Sequence, residues 1–225
     1  ASRYWAINMG DLKNVALMMA QPLIIYFLIC ITFSKAWQVL FLSALAIFWV
    51  GCTNAAREIV KERSVYLRER MVNLAVTPYV LSKLPFLSLL CLVQSIIAVA
   101  FVKLFAGIPG SALLFGLAFF AANLSGMALG LAISAVVARP DHSQAVVPIA
   151  LIPQIIFAGM IEEIVDMNVL SRGISVGVST RWTYESLKQV FWERGLDIFW
   201  RDTAVVGGFV VVFIVATIVT LRVKD

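Results

Sequence analysis

Long apolar stretches alternate with short polar runs along the whole chain. Residues 15–33 and 36–56 carry no charge, nor do 112–138, 143–161 and 203–221, and 79–102 carries only Lys83. About 20 apolar residues are enough to carry a helix across a bilayer core of ~30 Å. The pattern therefore predicts an all-α polytopic membrane protein with six transmembrane helices over those ranges. Three polar runs lie between or before them. Residues 1–14 hold Arg3, Tyr4, Trp5, Ile7, Met9, Asp11 and Lys13 and read as an interfacial amphipathic helix. Residues 57–74, REIVKERSVYLRERMVNL, hold dense charge on a roughly helical apolar spacing (Ile59, Val60, Tyr66, Leu67, Met71 and Leu74). Residues 162–202 mix charge with Trp182, Tyr184, Phe191, Trp192, Phe199 and Trp200, which predicts an interfacial or re-entrant segment with a helix broken near Gly195.

Composition sharpens this. The chain is 61% hydrophobic and 14% charged, which excludes an ordinary soluble domain. The net charge of +5 does not indicate nucleic acid, because the basic residues cluster at span ends where they orient the protein and meet anionic lipid. Eleven of the 18 Lys and Arg fall on the side of the termini and seven on the other. That bias predicts cytoplasmic termini, a cytoplasmic 57–74 segment and an outward-facing 162–202 segment in the plasma membrane. Cys30, Cys52 and Cys91 lie in apolar runs without metal-ligand spacing and read as small buried side chains. No nucleophile–base pair or metal cluster is present, so no catalytic site is expected in this chain.

Several residues interrupt the apolar runs. Gln21-Pro22 predicts a kink in the first span, and Pro148, Pro153 and Gln154 a bend in the fifth. Asn54 either lines a cavity or bonds a neighbouring helix. Thr77-Pro78 reads as a capped helix start, and Lys83 as a side chain that snorkels to the headgroups. Gly126 and Gly130 form a G-x-x-x-G pair that permits close helix approach. His142 reads as a wetted loop residue.

The order of these elements resembles the membrane domain of a type-2 ABC exporter, closest to the G subfamily. The resemblance rests on RYWAINMGDLKN followed by AQPLI, on NAAREIVKERSVYLRERMVNLAVTPYVLSKL, on ARPDHSQAVVPIALIPQIIFAGMI and on STRWTYESL. The family's E-(R/K)-x-x-x-x-(R/H)-E pattern is matched by Glu62, Arg63, Arg68 and Glu69, and its fifth-helix ending by Phe157-Ala158-Gly159-Met160-Ile161. The resemblance implies a dimer, with a second copy or a homologous membrane domain, around a central cavity. It also implies contact with a nucleotide-binding domain through residues 1–14 and 57–74. Coupling to that ATPase would fall to Arg57, Glu58, Glu62, Arg63, Arg68, Glu69 and Arg70. The cavity would be lined by Phe48, Val50, Asn54, Pro148, Ile152 and Ile155. Met160 and Ile161 match the apolar pair that plugs its outer end, with Met in place of a leucine.

The phosphate-cradling motif G-x-x-x-x-G-K-[ST] is absent from these residues, so ATP and Mg belong to an ATPase fused to this segment or carried on a separate chain. The expected function is outward movement of an amphipathic or lipid-like substrate by alternating access. Glu62 and Glu69 are expected to pair with arginines on the motor or in the connecting helix, and loss of Glu62 to uncouple hydrolysis from export with little loss of fold. The alternatives are a passive channel or secondary transporter, against which the uncharged span centres argue, and a non-transporting membrane scaffold.

Overall fold

A computed structural model describes residues 12–72, 75–193 and 195–224. The connecting helix expected over 1–14 lies outside these residues apart from its last three positions, which open the first helix. Among the described residues all regular structure is helical: α1 (Leu12–Thr32), α2 (Ala36–Ala55), a single 3-10 turn (Val60–Glu62), α3 (Arg63–Met71), α4 (Val76–Ala100) with a π-helical turn after it (Phe101–Phe105), α5 (Ala112–Val136), α6 (Pro140–Ile156), α7 (Val169–Val176), α8 (Ser179–Trp192) and α9 (Leu196–Val223). Five of these, α1, α2, α4, α5 and α9, are long and apolar enough to cross a membrane.

The fifth expected span differs. α6 is 17 residues long, about 26 Å of rise and at the lower limit for crossing. It runs through Pro148 and ends after Pro153, where Phe157 leaves the helical region and Gly159 takes a φ of 84°. A left-handed φ strains any side chain except glycine's, so the chain reverses there. α8 then returns toward the middle of the bundle, and its first residues meet the end of α6. One unbroken span is thus replaced by two helices that meet end to end. The last span also begins earlier than predicted, at Leu196 and not at 203. The helix break near Gly195 is present: Glu193 and Gly195 both adopt left-handed backbone, with φ of 51° and 55°. The start of α4 corrects another expectation. It begins at Val76, so Thr77 sits inside the first turn and does not cap it; its hydroxyl accepts from Arg222 at 3.1 Å.

α5 is the central post, touching α2, α4, α6, α8 and α9. Its approach to α2 is set by small residues. A Cβ on Gly126 would overlap the Phe48 carbonyl, one on Gly130 the Cys52 carbonyl, and one on Gly51 the Asn123 carbonyl. The G-x-x-x-G pair is therefore one side of a backbone-to-backbone seam, the close packing that small residues permit where lipid supplies no hydrophobic drive. A polar bracket crosses the middle of the bundle: Gln94 Nε2 donates to the Met18 carbonyl at 3.0 Å, and Asn123 Nδ2 donates to the Cys91 carbonyl at 3.1 Å and to Gln94 Oε1 at 3.2 Å. It ties α1, α4 and α5 together without charge. The outer faces of α1, α4 and α9 expose large apolar residues such as Leu17, Ile24, Ile96 and Val211, as a lipid-facing surface requires. Cys52 and Cys91 are buried and Cys30 half-buried, all as free thiols.

Candidate functional site

The polar run at 57–74 does not form one helix. Residues 56–59 turn, Val60–Glu62 make the 3-10 turn, and only Arg63–Met71 are α-helical. The reason lies in what the turn is bonded to. Ser134 Oγ of α5 accepts from the amides of both Ile59 and Val60 at 3.0 Å, two backbone donors that a helix continued from α2 would have bonded to the carbonyls of residues 55 and 56. Ser143 Oγ of α6 donates to the Ala56 carbonyl. Arg63 Nη1 donates to the Val137 carbonyl at 3.1 Å, and Lys224 Nζ, just beyond α9, to the Ala135 and Val136 carbonyls. One short segment is thereby fastened to the ends of α5 and α6, while Lys224 ties the end of α9 to α5.

The strongest tie runs to α4. Lys83 Nζ lies 2.5 Å from Glu62 Oε2 in an ion pair whose lysine side chain is 1% exposed and whose carboxylate is 27% exposed. Tyr79 donates to the same carboxylate oxygen at 3.4 Å, and its ring lies 4.9 Å from the ammonium. The Tyr79 ring also packs on that of Tyr66 from α3, with centroids 4.8 Å apart. One expectation is corrected here. Lys83 does not snorkel to headgroups; it is buried under the 57–71 segment. Among the described residues Glu62 pairs with Lys83, and the expected arginines of a motor or of the connecting helix lie outside them. A buried ammonium is held only when a carboxylate compensates its lost hydration, and Glu62 is the carboxylate within reach. The clue in the sequence was Lys83 itself, a lone cation in an otherwise apolar span.

The other charged residues divide by face. Glu58 is buried and bonded to Lys61 at 2.5 Å. Arg63 turns inward as above, and Glu69 and Arg70 are half-buried. Arg57 and Arg68 are exposed, and so are Leu67, Met71 and Val72, the last two more than 80% so. α3 is thus fixed along one face and bare along the other, with apolar and basic side chains mixed on the bare side.

The residues expected to line a cavity also divide. Pro148 and Ile152 are exposed and Ile155 half-buried, so α6 does present that face. Phe48 and Val50 are wholly buried, within the α2–α5 seam and beside α6. They face no open space in this fold. The accessible stripe of α2 is instead Leu42, Leu45, Trp49 and Thr53. An apolar helix with no polar face gives no signal for which side is covered. Asn54 is buried, and its Nδ2 has no partner among the described residues. Met160 packs against the main core cluster, and Ile161 is exposed in the turn after α6.

Farther from α3, at mid-length of α5, Gln154 Oε1 accepts from both the amide and the hydroxyl of Thr180, at 3.0 and 2.9 Å, and Ser125 Oγ lies 2.8 Å from Ser179 Oγ. The start of α8 has no side-chain cap of its own, so Gln154 of α6 supplies the acceptor. Gln154→Leu is expected to leave a buried N–H and hydroxyl unpaired and to cost ~1–3 kcal/mol. Thr180→Val, which removes the hydroxyl but keeps the amide bond to Gln154, should lose less. Thermal midpoints of the two purified variants give the comparison, and equal midpoints would show that the bond does not hold α8.

A model of the ABC-2 type transporter family matches residues 2–192, most of the chain. The chain belongs to the ABC-2 type transporter family. No curated protein matches it. This ABC-2 membrane domain is the transmembrane part of an ABC-type transporter, from a family whose members generally work with an ATPase domain and often as dimers. The G subfamily is compatible with the fold described here.

Proposed function

We propose that this ABC-2 domain is the membrane part of an ATP-driven exporter in the plasma membrane, with its termini and the 57–71 segment in the cytoplasm. A nucleotide-binding domain, fused or separate, carries ATP and Mg, docks on the bare face of α3, and drives a paired membrane domain between inward- and outward-open states. The observation that carries this reading is the two-faced α3. One side of the segment is bonded to α4 and α5, and the turn that leads into it to α6, so a displacement is passed to three helices together. The other side exposes Leu67, Arg68, Met71 and Val72, which a cytoplasmic partner would cover. Dimer contact and substrate are assigned to the accessible faces of α2 and α6, whose apolar character suits an amphipathic or lipid-like cargo.

The test begins with the complex extracted gently from its own membrane. Native mass spectrometry is expected to give a twofold assembly in which each membrane domain carries an ATPase, fused or bound. Arg68→Glu changes an exposed side chain, so stability should stay within ~0.5 kcal/mol, while ATPase activity and ATP-dependent transport in proteoliposomes should fall together. A chain that appears with no ATPase, or an Arg68→Glu variant with unchanged coupled transport, would overturn the reading.

A further inference from the structure

A cluster at the α8 end of the bundle belongs neither to the α3 site nor to the α2 and α6 faces. Arg181 and Trp182 lie on α8, Arg201, Asp202 and Thr203 on α9, and Ser175 on α7. The Trp182 indole is held by its Nε1 donating to the Val176 carbonyl at 3.0 Å. Two guanidiniums flank that ring: the Arg181 carbon lies 4.7 Å from its centroid and the Arg201 carbon 5.9 Å. Arg181 Nη1 donates to Ser175 Oγ at 2.7 Å. Arg201 Nε and Nη2 both donate to Asp202 Oδ1, at 2.9 and 2.8 Å, and Asp202 is wholly buried while the Arg201 side chain is 63% exposed.

Three polar atoms of this cluster are buried without a hydrogen-bond partner among the described residues: Arg181 Nε, Asp202 Oδ2 and Thr203 Oγ1. A buried guanidinium N–H with no acceptor is costly, above all beside lipid. The charges do not balance within the cluster either. Glu185 acts on Arg181 but is also paired with Lys188 at 2.7 Å, so Arg181, Arg201 and Lys188 stand against Glu185 and Asp202 with one positive charge in excess. An acceptor-rich anion would satisfy Arg181 Nε and the excess positive charge together.

Position narrows the anion. Lys224 sits beside α3, at the other end of α9, and Arg201 lies 23 residues back along that helix. That separation is roughly 34 Å of rise, just over a hydrocarbon thickness of ~30 Å. Arg201 therefore lies at headgroup level of the leaflet opposite α3, and Arg181 and Trp182, in the first turn of α8, meet it from deeper in the bundle. Trp200, half-exposed on the next residue, is an aromatic residue expected at that level. We infer that Arg181 and Arg201, set about Trp182, form a binding site for the phosphate of a phospholipid headgroup in that leaflet. Asp202 acts as a positioning residue that fixes the Arg201 fork, and its second oxygen is an acceptor for a headgroup hydroxyl. The site stands whether or not the domain is an exporter.

The test uses the purified, delipidated full chain in detergent, titrated with dioleoyl phosphatidylglycerol and read by native mass spectrometry. Dioleoylglycerol, with the same chains and no phosphate, and inorganic phosphate serve as competitors. The phospholipid is expected to bind, and neither competitor to displace it at equal concentration. Arg181→Gln, and the double variant Arg201→Gln with Asp202→Asn, should each weaken binding about tenfold. If either fails to fold, Arg201→Lys keeps charge on an exposed side chain but loses the fork, and should weaken binding several-fold. Unchanged binding in folded variants, or equal retention of dioleoylglycerol, would overturn the site. Displacement by inorganic phosphate would reassign it to a free anion and overturn the lipid assignment.

Discussion

Glu62→Ala is expected to lower the thermal midpoint of the purified protein by roughly 4–16 °C and to abolish ATP-linked transport. The size follows from the geometry of the pair. Lys83 is 1% exposed and its ammonium lies 2.5 Å from the Glu62 carboxylate. Removing one partner of a fully buried pair costs ~3–5 kcal/mol, because the remaining charge stays buried without its compensation. Glu62 keeps 27% of its exposure, so some water reaches the site and ~2–4 kcal/mol is the better figure. At about 2–4 °C per kcal/mol for a chain of this size, that gives the range above. This revises the expectation that Glu62 could be removed with little loss of fold. Glu62→Leu combined with Lys83→Met separates the two effects. Replacing both charges by apolar groups should recover most of the stability. The segment would then be packed against α4 without an ionic tie, and coupled transport should remain impaired. A Glu62→Ala midpoint equal to that of the unaltered protein would show that the pair does not fasten the segment.

Much of the fold was legible because the bilayer imposes it. Five uncharged or nearly uncharged runs became α1, α2, α4, α5 and α9, since a backbone in lipid has to satisfy its hydrogen bonds within a helix. The charge run at 57–74 was visible for the same reason, as the piece that cannot enter lipid. What was not legible depended on partners distant in sequence. The 3-10 turn at Val60–Glu62 exists because Ser134, over 70 residues away, takes two of its amides. Hydropathy carries no trace of such a bond. The buried state of Phe48 and Val50 was hidden because α2 is apolar all round, and only the glycines of α5 decide which face is covered.

The outer segment shows the same division. Its aromatic content pointed to an interface, and the break at Gly195 follows from the left-handed backbone there. The register of α9 did not follow. Asp202 ended the polar run in sequence, yet it lies in the second turn of α9 and is wholly buried, where Arg201 beside it makes burial tolerable. A charge at the edge of a hydrophobic run can be read as loop or helix, and the choice rests on whether a counter-charge meets it. Likewise the two prolines of α6 marked a discontinuity without telling its kind. The helix passes through Pro148 and gives way after Pro153, because α8 arrives to complete the crossing and Gln154 bonds the two ends.

Gly126→Val is expected to prevent recovery of folded protein. Overpacking a core costs ~1–3 kcal/mol when the displaced neighbour is a side chain that can find another rotamer. At Gly126 the obstacle is backbone: a Cβ would overlap the carbonyl of Phe48, with the Phe48 Cα 3.1 Å away. A helix cannot move one carbonyl without breaking its own hydrogen bond, so α2 would have to withdraw from α5 as a body. Withdrawal would open the contacts at Gly51 and Gly130 as well, because all three glycines set the same spacing. It would also disturb the anchors of the 57–71 segment, which connect the far end of α2 to Ser134 and Val137. The loss therefore exceeds the usual range for one inserted side chain, beyond ~4–5 kcal/mol. Gly126→Ala adds the same Cβ and should be severe in the same way. Gly208 in α9 is the control. A Cβ added there would meet nothing within 4 Å, so Gly208→Ala should be neutral or stabilising by up to ~1 kcal/mol. Fluorescence-detected size-exclusion chromatography of the three variants, followed by thermal midpoints, decides the matter. A monodisperse Gly126→Val protein with an unaltered midpoint would mean that α2 and α5 do not meet through these glycines.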